Sequence, residues 1–251
     1  IPKVEKEATF KISTADLAEA IDSTIFSASP SAARPILSGV YMNADKEMLK
    51  MVATDSFRLA EKKTKLSSKV EKAIDCIVPA RTLIELGKIL GKDFAKEQVE
   101  VLVSKNQVLF AVGGVELISR LIEGKFPDYE KIIPRATRTK LEVNVAGLTM
   151  ATKRVSLFAR ENNNSIKISA TNDGKMQIAT DETAIGEEKA EMDVKITGEN
   201  NKVALNSQYL LDVLAHMKDE VSIELDEKLT PIVVKSAKKD DYLYIIMPLK
   251  V

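Results

Sequence analysis

Ala53-Thr54-Asp55, followed by Ala60-Glu61-Lys62, returns as Ala179-Thr180-Asp181, followed by Gly186-Glu187-Glu188-Lys189; the spacing, 179 − 53 = 126, is about half of the 251 residues. Three shared residues carry little weight alone, so the question is whether their surroundings recur in the same order. Phe10-Lys11-Ile12 leading to Leu17 matches Leu141-Glu142-Val143 leading to Leu148, at an offset of 131. Leu83-Ile84-Glu85-Leu86 matches Leu210-Leu211-Asp212-Val213 at 127, and Val99-Glu100-Val101-Leu102-Val103 matches Val221-Ser222-Ile223-Glu224-Leu225 at 122. Four collinear matches predict two tandem copies of one domain, over 1–128 and 129–251. The length independently favours two hydrophobic cores over one.

Within each copy, period-two strands alternate with helices in the order strand, helix, several strands, helix, several strands. The first helix is expected from Ser13 or Thr14 as cap to about Ser27, with Leu17, Ile21 and Thr24 on one face. The second begins near Pro79 at its first turn and reaches Leu90, with Leu83, Leu86 and Leu90 inward. Strands are expected over 99–103, 107–112 and 115–122. In the second copy, helices are expected over 146–160 and 207–217, the latter capped by Asn206 or Ser207, with closing strands over 221–225, 232–235 and 242–247. Each copy therefore reads as two β-α-β-β-β units, an α+β fold with helices on one face of antiparallel sheets.

Composition removes several classes of function. The 37 Lys and Arg balance 37 Asp and Glu, so no whole-molecule field drives the chain onto nucleic acid or an anionic membrane. One cysteine and one histidine cannot supply an internal disulfide or a His-rich metal site, and no metal is expected. No apolar run reaches the roughly 18 residues that span a bilayer, and the start Ile1-Pro2-Lys3-Val4-Glu5-Lys6-Glu7 lacks a signal-peptide core, so a cytoplasmic protein without membrane contact is expected. The Ile1 start, with strand-like Ala8-Thr9-Phe10-Lys11-Ile12 close behind, suggests that a longer natural chain precedes it.

No phosphate-loop, dinucleotide, nucleophile-elbow or C-x-x-C pattern occurs, so neither a catalytic residue nor a cofactor is expected. His216 reads as a helix-rim residue, and Cys76, within Ala73-Ile74-Asp75-Cys76-Ile77-Val78, as a buried strand thiol. Asp55 and Asp181 read as turn residues that bind local backbone amides. Two features point to partners. Arg81, Lys88 and Lys92 on one helix, and Lys153 with Arg160 beside Arg154 on another, give outward basic faces suited to a phosphate backbone. The ending Ile245-Ile246-Met247-Pro248-Leu249-Lys250-Val251 stays apolar, and Pro127 marks the junction of the copies, where a crevice would form.

Arg34-Pro35-Ile36-Leu37-Ser38-Gly39-Val40, Ala53-Thr54-Asp55-Ser56-Phe57-Arg58-Leu59-Ala60, Ser119-Arg120-Leu121-Ile122-Glu123-Gly124-Lys125-Phe126-Pro127-Asp128-Tyr129 and Met247-Pro248-Leu249-Lys250-Val251 together resemble the bacterial sliding clamp family, the beta subunit of DNA polymerase III. The resemblance covers essentially the whole chain. It implies a DNA-clamp (processivity) fold in which this chain is the middle domain and the C-terminal domain, with the N-terminal clamp domain absent. It further implies a non-enzymatic processivity factor, without cofactor, that encircles duplex DNA as a ring-forming homodimer. Peptide segments of DNA polymerases and of the clamp loader would dock in a pocket between the two domains.

Carried over residue by residue, that pocket takes Leu37, Thr54, Arg58, Leu59 and Pro127 from the first copy and its connector. From the second it takes Lys131, Ile132, Asn206, Tyr209, Leu229, Pro231, Met247, Pro248 and Leu249. The DNA-facing set is Arg34, Arg81, Lys88, Lys153 and Arg160. Three departures from the family pattern stand out. Ser56-Phe57 replaces a small residue followed by His, which reshapes the pocket rim; Lys131 replaces Arg; and Pro35-Ile36 replaces a polar or aromatic pair directed at DNA. Without its first domain the chain is expected to be mainly monomeric and to bind DNA weakly and without sequence preference. The competing readings are a small-molecule enzyme with its site in the interdomain crevice and a self-associating structural protein.

Overall fold

The computed structural model describes residues 7–31, 33–91, 94, 97–180, 188–227 and 229–250. Ile1, Lys92, Asp181, Gly186, Glu187 and Val251, all used above, lie outside the described residues. The chain separates into two compact units, Ile1–Pro127 and Asp128–Val251.

The first unit runs β1 (Ala8–Ser13), α1 (Thr14–Ile25), β2 (Gly39–Asp45), β3 (Met48–Thr54), β4 (Arg58–Lys65), β5 (Ile74–Pro79), α2 (Ala80–Ile89), β6 (Gln98–Val103), β7 (Gln107–Val112) and β8 (Val115–Arg120). This is two β-α-β-β-β units in succession, but their first strands are exchanged. β1 pairs with β6, giving the order β1-β6-β7-β8, and β5 pairs with β2, giving β4-β3-β2-β5; all pairs are antiparallel. The exchange locks the halves together, since neither sheet can form from one half alone.

Both helices start where the sequence places a cap or a breaker. Ser13 Oγ accepts the Asp16 backbone N–H, relieving one of the orphan donors of α1. Pro79 is the N-cap of α2, one position ahead of the first-turn place expected for it; its missing N–H costs nothing at either position. α1 and α2 pack against one another, α1 also on β3 and β4 and α2 on β2 and β5. One core joins Phe10, Ile12, Leu17, Ile21, Met42, Met51, Leu83, Leu86, Val101 and Phe110 from both sheets and both helices. Burying each of these large side chains contributes about 1.5–3 kcal/mol.

The second unit runs β9 (Thr139–Asn144), α3 (Val145–Ala159), β10 (Ser165–Thr171), β11 (Lys175–Ala179), β12 (Lys189–Asp193), β13 (Lys195–Gly198), β14 (Asn201–Asn206), α4 (Ser207–Leu214), β15 (Glu220–Leu225), β16 (Ile232–Ser236) and β17 (Tyr242–Ile246). The same exchange recurs, with orders β12-β11-β10-β14 and β13-β9-β15-β16-β17. Asn144 and Asn206 cap α3 and α4 through their side-chain oxygens. Two details differ from the sequence expectation. α4 ends at Leu214, so His216 lies just past the helix, where its N–H donates to the Val213 carbonyl at 3.0 Å. β13 is an added edge strand with no counterpart among the described strands of the first unit.

Candidate functional site

In the first unit the candidate residues gather on the β3–β4 hairpin. Thr54 Oγ1 donates to the Arg58 carbonyl at 2.7 Å and accepts the Ser56 N–H at 3.1 Å. Asp55 Oδ1 accepts the N–H groups of Phe57 and Arg58 at 2.9 and 3.1 Å, the turn-binding role its position suggested. Arg58 Nε meets Asp55 Oδ2 at 3.1 Å with both side chains largely buried, while Nη2 donates to the Phe26 carbonyl at 2.8 Å. Its guanidinium carbon lies 5.7 Å from the Phe26 ring centroid, a cation–π distance. Arg58 therefore ties the hairpin to the end of α1. Leu59 is fully buried and Thr54 nearly so, whereas Phe57 projects from the tip.

Leu37 is half-buried in the 3-10 turn Ile36–Ser38, and its carbonyl accepts the Ser29 N–H at 2.8 Å. Pro127 is exposed, but Phe126 before it is buried and stacks on Tyr41 with ring centroids 5.2 Å apart. Gly124 explains part of the specificity of this string. It sits at φ +128, and a Cβ there would come 2.8 Å from Ile36 Cδ1, so the connector approaches the Leu37 turn as closely as only glycine allows.

In the second unit the candidates lie at the start of α4 (Asn206, Tyr209), just before β16 (Pro231) and in the segment after β17 (Met247, Pro248, Leu249). The Leu249 N–H donates to the Ala204 carbonyl at 2.8 Å in an antiparallel bridge, so the apolar tail lies along the edge of β14 two residues from Asn206. The fully buried Tyr244 donates its hydroxyl to the Tyr209 carbonyl at 3.1 Å, fixing the first turn of α4 over β17. Ile232 pairs with Ile246 in the last rung of the ladder, with Pro231 before the one and Met247 after the other. Leu229 is 63% exposed on the β15–β16 loop. Lys131 and Ile132 are in the turn Tyr129–Ile132. There Lys131 Nζ meets Asp128 Oδ2 at 2.8 Å, and this hydrogen bond and the carboxylate's charge raise the ammonium pKa.

The basic residues divide. Arg81 and Lys88 are exposed in the first and last turns of α2, with Lys88 2.9 Å from Glu85. Lys153 is exposed on α3 and Arg160 in the 3-10 turn that continues it, beside exposed Met150 and Leu157. Arg154 is engaged by Glu188 at 2.8 Å. Arg34 is on neither helix: its Nη1 donates to the Asp55 carbonyl and to Ser56 Oγ, both at 3.2 Å, which attaches it to the hairpin. Sequence reasoning missed this link, because the bond spans 21 positions and no local pattern announces it.

Cys76 is buried in β5, and burial, with the Asp75 charge adding to it, pushes its thiol up to about 12. Such a thiol keeps its proton and is a poor nucleophile. The folded pKa exceeds the ordinary value of 9.0, so this group's contribution to stability is complete below pH 9 and is lost as pH rises toward 12. Iodoacetamide at about pH 8 is expected to label Cys76 slowly in the native chain and rapidly in urea; equal rates would contradict burial. Among the described residues no cluster of three or more His, Cys, Asp or Glu side chains could hold a metal ion, and no helix is long and apolar enough to cross a membrane.

Two exchanged β-α-β-β-β pairs in tandem define a clamp-type fold, and comparison with known proteins assigns the family. Residues 11–128 match the family described as DNA polymerase III beta subunit, central domain, and residues 130–250 match its C-terminal domain. The beta sliding clamp of Staphylococcus aureus (strain Mu50 / ATCC 700699) is 33% identical over 252 residues, covering 100% of this chain and 66% of the relative. The crystal structure of the DNA polymerase sliding clamp from Bacillus subtilis superposes with a TM-score of 0.95 at 31% identity, covering 100% of this chain and 66% of that one. The DNA polymerase III beta subunit of Thermotoga maritima gives 0.94 at 26% identity, covering 100% and 68%. The chain belongs to the DNA polymerase III beta subunit family, the bacterial sliding clamps, and spans 66% of the length of the S. aureus relative.

Proposed function

We propose that this chain supplies the middle and C-terminal domains of a non-enzymatic sliding clamp. In the whole protein, a ring-forming homodimer would encircle duplex DNA and keep the replicative polymerase on its template in the cytoplasm. The observation that carries this reading is the unbroken succession of central and C-terminal domain matches over 11–128 and 130–250. Topological retention needs only weak phosphate contacts, and a chain with no net charge, whose exposed helix faces carry Arg81, Lys88, Lys153 and Arg160, accords with sliding. The two units alone are expected to be mainly monomeric and to bind duplex DNA at about 10⁻⁴ to 10⁻⁶ M at physiological salt. Fluorescence anisotropy showing tight, salt-resistant or sequence-selective binding would count against this.

Polymerases and the clamp loader would dock through short extended peptides on residues contributed by both units. The β3–β4 hairpin with Leu37 and Pro127 would form one side. Lys131, Ile132, Asn206, Tyr209, Leu229, Pro231 and the 247–249 tail would form the other. What supports this is that the 247–249 tail is held against β14 beside Asn206, and Met and Leu side chains adapt to several related peptides. A peptide with Leu and aromatic anchors is expected to bind with micromolar affinity, about −8 kcal/mol, by isothermal titration. Met247→Ala is expected to weaken it by about 1–3 kcal/mol. The docking reading fails if Met247→Ala, Leu59→Ala and Tyr209→Ala all keep the wild-type circular dichroism and bind the peptide unchanged.

A further inference from the structure

Gly174 follows Asp173 in the turn between β10 and β11, and no other Asp or Asn among the 251 residues is followed by glycine. The pair has a chemistry of its own. In a flexible chain the amide nitrogen after an aspartate attacks the side-chain carboxyl, and glycine, with no side chain in the way, hinders that attack least. A bond forms between the glycine nitrogen and the aspartate Cγ, a Cγ–O bond breaks, and the hydroxyl leaves as water with the amide proton, giving a cyclic imide. Water then reopens the ring at either carbonyl. Opening at the main-chain carbonyl leaves an isoaspartyl link, with an extra methylene in the backbone.

The turn opposes each part of this step. The Gly174 N–H is held by the Thr171 carbonyl at 3.0 Å, so turning the nitrogen toward the carboxyl costs that bond. The electrophile is held as well, because Asp173 Oδ1 accepts the Thr171 hydroxyl and, at 3.3 Å, the Lys175 N–H. The Thr171 bond, with the Lys175 amide adding to it, keeps this exposed carboxyl below the usual carboxylate range, and a carboxylate has no hydroxyl ready to leave. On either side, the Asn172 N–H donates to Asn200 Oδ1 at 2.7 Å and the Gly174 carbonyl accepts the Val194 N–H at 2.9 Å. Glycine is required at this place by its φ of +85, which keeps the reactive pair in the chain.

We propose that Asp173-Gly174 is a latent self-modification site that the fold holds shut, with Thr171 as the residue that restrains it. Thr171 meets both reacting partners, its carbonyl the nucleophile and its hydroxyl the electrophile. Conversion would lengthen the backbone inside the turn, undo the pairing of Thr171 with Lys175 and release Val194, which leads into β13.

The whole chain, its Thr171→Val and Thr171→Ser variants and a synthetic peptide of residues 169–177 are kept at neutral pH for several weeks. Peptide mapping by mass spectrometry, with a protease that cuts before Asp but not before isoaspartate, reads conversion at Asp173 and at every other Asp. The peptide is expected to isomerise, and the folded wild type to do so at least about tenfold more slowly, since more than one hydrogen bond stands in the way. Thr171→Val loses the hydroxyl at equal shape and should convert about two- to tenfold faster than wild type, the worth of one hydrogen bond, whereas Thr171→Ser should stay near wild type. Thr171 is exposed, so both variants should keep the wild-type urea midpoint, and the rise in Thr171→Val should be confined to Asp173. A folded wild type that converts as fast as the peptide overturns the proposal, and that comparison needs no variant. Thr171→Val at the wild-type rate, or a rise at every Asp alike, overturns the role of Thr171.

Discussion

Replacing Arg58 with Ala is expected to cost the first unit about 3 kcal/mol, the penalty for breaking a largely buried ion pair by removing one partner. The mechanism is specific. Asp55 is 8% exposed, and without the guanidinium its carboxylate keeps two amide donors and loses the cationic partner 3.1 Å away. The Phe26 carbonyl at the end of α1 loses its 2.8 Å donor at the same time. The hairpin would then part from α1 and carry Phe57 and Leu59 with it, so peptide affinity should fall at least about tenfold, as when a central contact is truncated. Arg58→Lys keeps the charge but not the planar fork that serves Asp55 and Phe26 together, and should recover only part of the loss. Urea unfolding followed by circular dichroism reads the first effect and calorimetric titration the second. Wild-type stability and affinity in Arg58→Ala would show that the hairpin does not depend on this residue.

The sequence made legible what is local and periodic. The caps at Ser13 and Asn206, the inward stripe of Leu83, Leu86 and Leu90, and the strand over 107–112 follow from side-chain spacing and turn chemistry alone. The exchange of β1 and β5 between half-units leaves no local trace, because it is a choice among long-range antiparallel pairings of similar strands. β4 was hard to see for another reason. Its stretch Ala60-Glu61-Lys62-Lys63-Thr64-Lys65 has no apolar alternation, yet Glu61 and Lys62 are both buried. Lys62 faces α1 and meets Glu19 at 2.7 Å, so an ion pair and the ladder to β3 hold a strand that hydrophobic patterning does not announce. The candidate site shows the same division. Asp55 could be read as a turn residue from its neighbours, whereas the proposal of Leu37, Tyr209 and Leu229 as peptide contacts rests on family resemblance, since residues so far apart in sequence share no spacing rule.

β13, the strand that the β-α-β-β-β pattern did not contain, sets up the other large effect. Gly198 ends it at φ +105, and a Cβ there would lie 1.9 Å from the Arg138 carbonyl oxygen and 2.9 Å from its carbon. These are backbone atoms, and they cannot retreat cheaply. The Arg138 N–H is bonded to the Leu225 carbonyl, and its side chain reaches Asp226 at 3.1 Å and Glu227 at 2.7 Å. The following turn is tied in as well. The buried Thr139 donates Oγ1 to the Glu199 carbonyl at 2.8 Å, and Asn201 Nδ2 reaches both Thr139 Oγ1 and the Asp226 carbonyl. Gly198→Ala is therefore expected to destabilise the second unit by about 3 kcal/mol or more, combining a disfavoured φ with overpacking against fixed backbone. Gly114 supplies the control, because it too has positive φ, +82, but a Cβ there would meet nothing within 4 Å. Gly114→Ala should cost only the conformational part, about 1–2 kcal/mol. Urea unfolding of the two variants separates the contributions, and hydrogen exchange locates them: Gly198→Ala should raise exchange through β9, whose first residue Thr139 adjoins the clash, and through β15, whose Leu225 carbonyl accepts the Arg138 N–H. Equal costs for the two substitutions would mean that β13 swings away freely and that the sheet of the second unit does not need it.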